Sequence, residues 1–366
     1  METRKFRRNP WGIVLLILIF SCAIAFGTAY LFTHVLNQDS FGRYRTMAIP
    51  NMQSLEATAD GFVYYDGSTV SSIDSSGRVK WSYMLGGNAD FSATDYGVAA
   101  WSDKTITLID GKSGATTYNG TMAESILDAY VGNKYTAVVV GEATDSSIVL
   151  MENGGRQISQ IILDDVNVID FGFFSNGTLL WAMVCDSNGT VPTCTIQTYK
   201  PGKEIVGSIK DSEQLAYAVQ FQQSQVLVTG DTYLKTFDYT GIENAARRRL
   251  VYGWYMACAD DSSADPMMVF VKDSQYRGAS DIRDVRMIRS NLDRVIHMPF
   301  GCMDVAAAGD TVYGFSSDGH MMIYGANDSS ARSFQLGVQI DRVYGVTADG
   351  VAIVGNGGTI YMVNLK

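Results

Sequence analysis

The chain is 366 residues long, 46% hydrophobic and 18% charged, with 28 Lys and Arg against 38 Asp and Glu, a formal net charge of −10. That length and apolar content suffice to bury a full core, which excludes wholesale disorder, and the acidic balance disfavours nucleic acid as a partner. With 36 Gly and 20 Tyr but only 6 Pro, the composition suits many short strands joined by glycine turns rather than long helices.

From Asn9 to Gln38 there is no acid, Lys or Arg, and Trp11–Phe32 is almost wholly apolar. At about 1.5 Å per residue such a helix spans the roughly 30 Å of bilayer hydrocarbon. Arg4, Lys5, Arg7 and Arg8 precede it and Asp39 opens the far flank, so the positive-inside bias puts the N-terminus in the cytoplasm. The expected organisation is a cytoplasmic tail (1–10), a transmembrane helix (11–36), a linker (37–43) and an extracytoplasmic domain (44–366) of a single-pass cell-membrane protein. A cleaved signal peptide ending at Ala23-Ile24-Ala25 is the competing reading. The apolar run outlasts Ala25, which favours an anchor, and bulky Phe20 disfavours a lipoprotein site at Cys22.

Beyond the anchor the chain repeats itself. Gly61–Gly77 aligns with Ser224–Gly241 so that Phe62 matches Val226, Val70 Leu234, Ile73 Phe237, Asp74 Asp238 and Gly77 Gly241. The phrase returns in Gly97–Trp101 with Ile106–Asp110, in Val312–Phe315 with Met322–Tyr324, and in Val351–Val354 with Ile360–Val363. Each unit reads as an apolar strand, a tight turn, an alternating strand, an Asp-to-Gly turn and a further strand such as Val79–Tyr83. Such a meander cannot stand alone. Units start near residues 53, 89, 127, 169, 214, 254, 302 and 340, a spacing suited to propeller blades. The expected fold is all-β, a propeller of eight four-stranded blades, with seven as the alternative count. The last unit lacks an outermost strand, and the spare segment Tyr44–Ile49 has strand character, so the two termini are expected to close the ring together.

Ile73–Trp81, with its Asp74, Gly77 and Trp81, and the second copy Ile109–Tyr118 resemble the turn of the quinoprotein-like repeat. That repeat builds eight-bladed propellers, among them the BamB-type scaffold of outer-membrane protein assembly. One N-terminal anchor on such a propeller also resembles an uncharacterised family from the envelope of Gram-positive anaerobes. The resemblance covers most of the domain and implies the fold alone. The quinone enzymes of that superfamily use a vicinal cysteine pair, absent here, so their redox cofactor is not expected.

No phosphate-binding loop is present, and of three histidines His34 lies in the anchor while His297 and His320 fall in separate units, leaving little material for a zinc cluster or a catalytic triad. No catalytic residue is assigned. Asp90, Asp128, Asp170 and Asp304, with Asp341 one register less certain, recur near the start of innermost strands. They read either as caps of their own blade connections or as a partial ring at the channel mouth that attracts Ca²⁺, another cation or a basic peptide. Residues 235–300 form a basic island in an acidic shell, carried by Arg247, Arg248, Arg249, Arg283, Arg286, Arg289 and Arg294. It reads either as a solvated face with ion pairs to Asp281, Asp284 and Asp293, or as a docking patch for an acidic envelope protein, an anionic polymer or lipid headgroups. Cys185 and Cys194 flank a hairpin loop, as a disulfide or as two free thiols, whereas Cys258 and Cys302 are not expected to pair. The Asn-x-Ser/Thr triplets at Asn119, Asn176, Asn188 and Asn327 read as turns. The expected function is a non-catalytic binding or assembly scaffold at the cell envelope, with a ligand or metal sensor, or an enzyme, at the channel mouth as the rival.

Overall fold

The computed structural model describes residues 41–366, except 51, 175, 176, 178, 191, 204, 223, 224, 261–263, 277–280 and 366. The expected tail and transmembrane helix, with Cys22 and His34, and Asn176 lie outside the described residues.

Eight four-stranded antiparallel sheets follow one another along the chain. Their first strands are Ser54–Thr58, Asp90–Ala93, Ile126–Val131, Asn167–Phe174, Ala216–Gln222, Trp254–Asp260, Asp304–Ala308 and Arg342–Val346. Each begins within two residues of the start expected from the repeat, and the alternative count of seven is excluded. First strands of neighbouring sheets touch one another, so they line a common axis and the sheets radiate from it as blades 1 to 8.

The second strand of each blade is a near-continuous apolar run because both of its faces are covered. In Tyr135–Glu142, Val138 and Val140 join the cluster shared with blade 2, while Ala137 and Val139 join the cluster shared with blade 4. Val226 and Val228 likewise face blade 4 while Leu227 faces blade 6. A period of two carries this directly, since successive side chains leave a strand on opposite sides. The core is therefore divided into eight apolar clusters among the described residues, one in each gap between consecutive blades.

Blade 8 is completed from the other end of the chain. Tyr44–Ala48 pairs with Thr359–Asn364 from Tyr44↔Val363 to Ala48↔Thr359, and the Gly42 N–H donates to the Asn364 carbonyl at 2.8 Å. The seam cluster of Ile49, Phe62 and Ile73 with Ile353, Ile360 and Met362 closes the circle.

The aspartate of the repeat ties the outer hairpin in blades 1, 2 and 5. Asp74 Oδ1 accepts the Arg78 N–H at 2.9 Å and the Ser76 hydroxyl at 2.6 Å, and Asp110 and Asp238 do the same work in blades 2 and 5. Trp81 then docks on the next blade, its Nε1–H donating to the Gly111 carbonyl at 3.1 Å. A Cβ on Gly114 would lie 2.4 Å from Trp81, so only glycine admits the ring, and its φ of +69° suits glycine too. Tyr118 repeats the contact one blade on, against Gly155.

Candidate functional site: the mouth of the central channel

All innermost strands run in the same direction along the axis, so their starts gather at one mouth. Five of them carry an irregularity there, leaving Leu127, Ile169, Tyr217, Ala257 and Tyr344 as the extra residue against the second strand. A bulge removes a residue from the ladder and re-aims its side chain. Leu127 and Ile169 stand 44% and 48% exposed, and Leu215, just before the blade 5 strand, is 48% exposed. Tyr217 and Tyr255 stack at 4.8 Å with planes 3° apart, and the Met256 N–H donates to Tyr217 Oη at 3.0 Å.

Directly after the bulges come Asp128 and Asp170, and Asp304 opens the blade 7 strand. Each carboxylate accepts the N–H of the residue that follows it, Ala129 at 2.7 Å, Phe171 at 2.8 Å and Val305 at 2.8 Å. Glu56 of blade 1, missed in the sequence, joins them and accepts the Ala93 N–H of blade 2 at 2.6 Å. Burial pushes the carboxyls of all four above the usual range. The charge of Asp128 pushes Glu56 and Asp170 further in the same direction. Asp128 and Asp170 are nonetheless reachable by solvent. The two facts agree for a side chain on the wall of a narrow channel, where water arrives from one side only and the remaining surroundings are protein. None of the four forms an ion pair with a Lys or Arg among the described residues.

Asp90 and Asp341 differ in their contacts. Asp90 pairs opposite Trp101 at the start of its strand, exposed. Asp341 caps its own blade, accepting the Gly357 N–H at 2.7 Å, as the turn reading requires. Among the described residues no three His, Cys, Asp or Glu side chains converge closely enough to hold a metal ion together.

Four of the seven arginines of the basic island, Arg249, Arg286, Arg289 and Arg294, join blades. Arg249 donates to the Ser290 and Leu292 carbonyls of blade 6 at 2.8 and 3.1 Å. Arg286 grips Asp293 through both nitrogens at 2.7 and 2.8 Å and reaches back to the Leu250 carbonyl. Arg289 pairs with Asp310, and Arg294 donates to the Asp328 carbonyl at 2.9 Å and covers the Tyr324 ring. Arg248 clasps Glu243 and Glu213 over Tyr233, Arg247 meets Gln225, and Arg283 lies 3.4 Å from Asp281. His297 pairs with Asp284, which also holds Lys272, and His320 pairs with Asp318. Neither histidine meets a nucleophile in these contacts.

Cys185 and Cys194 face each other across neighbouring strands, both buried and unjoined in the structure. Burial pushes the Cys194 thiol up to about 11. Cys258 and Cys302 do not pair, and Cys302 Sγ lies 3.1 Å from Met298 Sδ. Of the Asn-x-Ser/Thr positions, Asn119 sits inside a strand with its amide on Thr107 Oγ1, and Asn188 lies in a hairpin loop against the Asp165 carbonyl.

No family model matches the chain, and no curated protein matches it in sequence. Its architecture is similar to that of solved structures. The C-terminal WD40 domain of Sif2 superposes with a TM-score of 0.60 at 10% identity, covering 87% of this chain and 98% of that one. BamB from Moraxella catarrhalis gives 0.54 at 11% identity over 88% and 97% of the two chains. The computationally designed Ika8 protein gives 0.56 at 11% identity over 86% and 96%. This chain is an eight-bladed β-propeller. At these identities the likeness extends to the fold and no further.

Proposed function

We propose that the protein is a membrane-anchored, extracytoplasmic binding scaffold of the cell envelope, akin to the BamB-type propellers of the quinoprotein-like repeat, that holds a partner at one end of its ring without catalysing a reaction. The observation that carries this reading is the channel mouth, where Asp128 and Asp170, without cationic partners among the described residues, stand beside exposed Leu127 and Ile169, with exposed Leu215 on the next blade. Rigid blades hold such a surface in place, and the loops around it are free to vary. In an oxidising envelope Cys185 and Cys194 are joined, which alkylation followed by mass spectrometry reads as two blocked thiols. Photo-crosslinking of the full-length chain in its own membranes, from probes at Leu127 and separately at Met84 on a blade edge, tests the scaffold. Capture of one defined envelope protein or polymer from the Leu127 probe is expected. Equal, unspecific capture from both probes overturns it.

A second reading, a metal-sensing channel mouth, rests on the like-charge coupling of Asp128 and Asp170. It requires millimolar Ca²⁺ to raise the melting temperature and the double variant Asp128→Asn/Asp170→Asn to abolish the rise. An unchanged melt removes it.

A further inference from the structure

We infer that the channel mouth takes an extended protein segment presenting a Lys or Arg between bulky apolar side chains, the cation seated at Asp128 and Asp170 of the adjacent blades 3 and 4 and its neighbours resting on Leu127, Ile169 and Leu215. This inference rests on the scaffold reading and specifies the chemistry of the partner.

The apolar half of the site is built by the fold. Leu127 and Ile169 are bulge residues at matching places in blades 3 and 4, and Leu215 immediately precedes the equivalent strand of blade 5. The neighbours of the bulges, Ile126 in blade 3 and Ala216 in blade 5, are buried in the gaps between blades. Large apolar side chains thus stand exposed near the strand starts of three consecutive blades.

Charge complementarity decides the occupant. Several carboxylates elsewhere on the ring are matched within the protein: Asp211 and Glu213 hold Lys235, Asp284 holds Lys272, Asp293 holds Arg286, and Asp310 holds Arg289. Among the described residues Asp128 and Asp170 have no cationic partner, and each accepts the backbone N–H of the next residue. A partner's ammonium or guanidinium supplies the missing counter-charge, and charge-assisted hydrogen bonds are stronger than neutral ones. Aliphatic or aromatic flanks cover the exposed rim and exclude the remaining water. An extended segment suits a channel mouth, since alternate side chains of a strand point to opposite sides and one can enter while its neighbours spread.

The test uses the full-length chain in detergent and an array of immobilised peptides Gly-Ser-Gly-Φ-Z-Φ-Gly-Ser-Gly, where Φ is Leu, Phe or Trp and Z is Lys, Arg, norleucine or Glu. Lys and Arg members are expected to be retained at least about ten-fold better than norleucine or Glu members, with the gain weakening as salt is raised. Asp128→Asn/Asp170→Asn removes the preference for a cationic Z, and Leu127→Ser/Ile169→Ser weakens all members alike, while both variants keep a cooperative melt. Retention of no peptide, equal retention of norleucine, or an unchanged preference in the Asn variant overturns the inference. Binding that needs Ca²⁺ and ignores Z also overturns it, in favour of a metal site. If the crosslinked envelope partner is still captured by the Asn variant, this inference falls while the scaffold stands; if the wild-type chain captures no partner, the scaffold itself falls.

Discussion

Blades 1 and 2 are joined by an indole seated on glycine, whereas blades 5 and 6 are joined by guanidiniums seated on carbonyls. In the first pair the repeat is intact, and Trp81 needs the bare backbone of Gly114 to fit while it donates to the Gly111 carbonyl. In the second pair the repeat has drifted, the outermost strand of blade 5 shrinks to Arg249–Leu250, and Arg249 and Arg286 span the gap in opposite directions. Between blades 4 and 5 there is a third solution, a buried ion pair of Lys235 with Asp211 at 2.9 Å. All three gaps keep an apolar cluster. The fold demands that the outer margin of each gap be sealed and tolerates any chemistry that seals it, so motif decay need not mean structural decay.

Substitutions at the three seals separate them. Lys235→Met leaves Asp211, almost wholly buried, without its cation and is expected to cost about 3–5 kcal/mol by chemical denaturation. Trp81→Ala removes a large buried ring and a hydrogen bond, about 3–5 kcal/mol, whereas Trp81→Phe is expected to lose only about 1 kcal/mol with the Nε1–H bond. A small loss for Trp81→Ala would show that the aromatic docking is dispensable. Arg249→Lys cannot reach the Ser290 and Leu292 carbonyls as a fork and is expected to cost about 1–3 kcal/mol. If Arg249→Lys and wild type melt alike, the guanidinium latch is only surface decoration.

The smallest effect is of opposite sign and lies at the channel. Glu56, Asp128, Asp170 and Asp304 bind their protons more tightly folded than unfolded, so their ionisation weakens the fold as pH rises through their folded values. Asp128→Asn/Asp170→Asn should therefore raise the melting temperature at pH 7 and leave it nearly unchanged well below pH 4. Turn aspartates behave in the reverse manner. Burial acts upward on Asp74, but hydrogen bonds from Ser76 and Arg78 outweigh it and hold the carboxyl at about 2. The Ser316 hydroxyl and His320 hold Asp318 at about 2 as well. Their contribution is present at neutral pH and is lost as pH falls from about 4 towards 2. A melting temperature that climbs steadily down to pH 2 would contradict the turn reading.

Blade number and placement were legible in the sequence because a strand buried on both faces writes an unbroken apolar run, and Asp74, Asp110 and Asp238 mark the following turn each time. The channel group was legible in part. Asp128 and Asp170 stand out by recurrence, but Glu56 sits inside Leu55–Ala57 with no motif around it, and its nearest donor, Ala93, belongs to the next blade. The bulges at Leu127 and Ile169 were not legible at all, since an extra residue shows only when two strands are set side by side. The arginine cluster was visible as charge, yet its acceptors are mostly backbone carbonyls and aspartates in neighbouring blades, and a carbonyl has no signature in a sequence.

The seam between Tyr44–Ala48 and Thr359–Asn364 also decides how the ring bears load. Any chain that precedes Phe41 continues directly into the seam strand, and the first rung it meets is Tyr44 opposite Val363, beside the Gly42–Asn364 hydrogen bond. Tension on that leading segment is thus delivered to the end of a ladder. When the pull runs across the strands the rungs open one at a time, as a zipper does, and when it runs along them all five residue pairs share it in shear. A propeller tethered through its own clasp has a direction in which it is strong and a direction in which it unfastens.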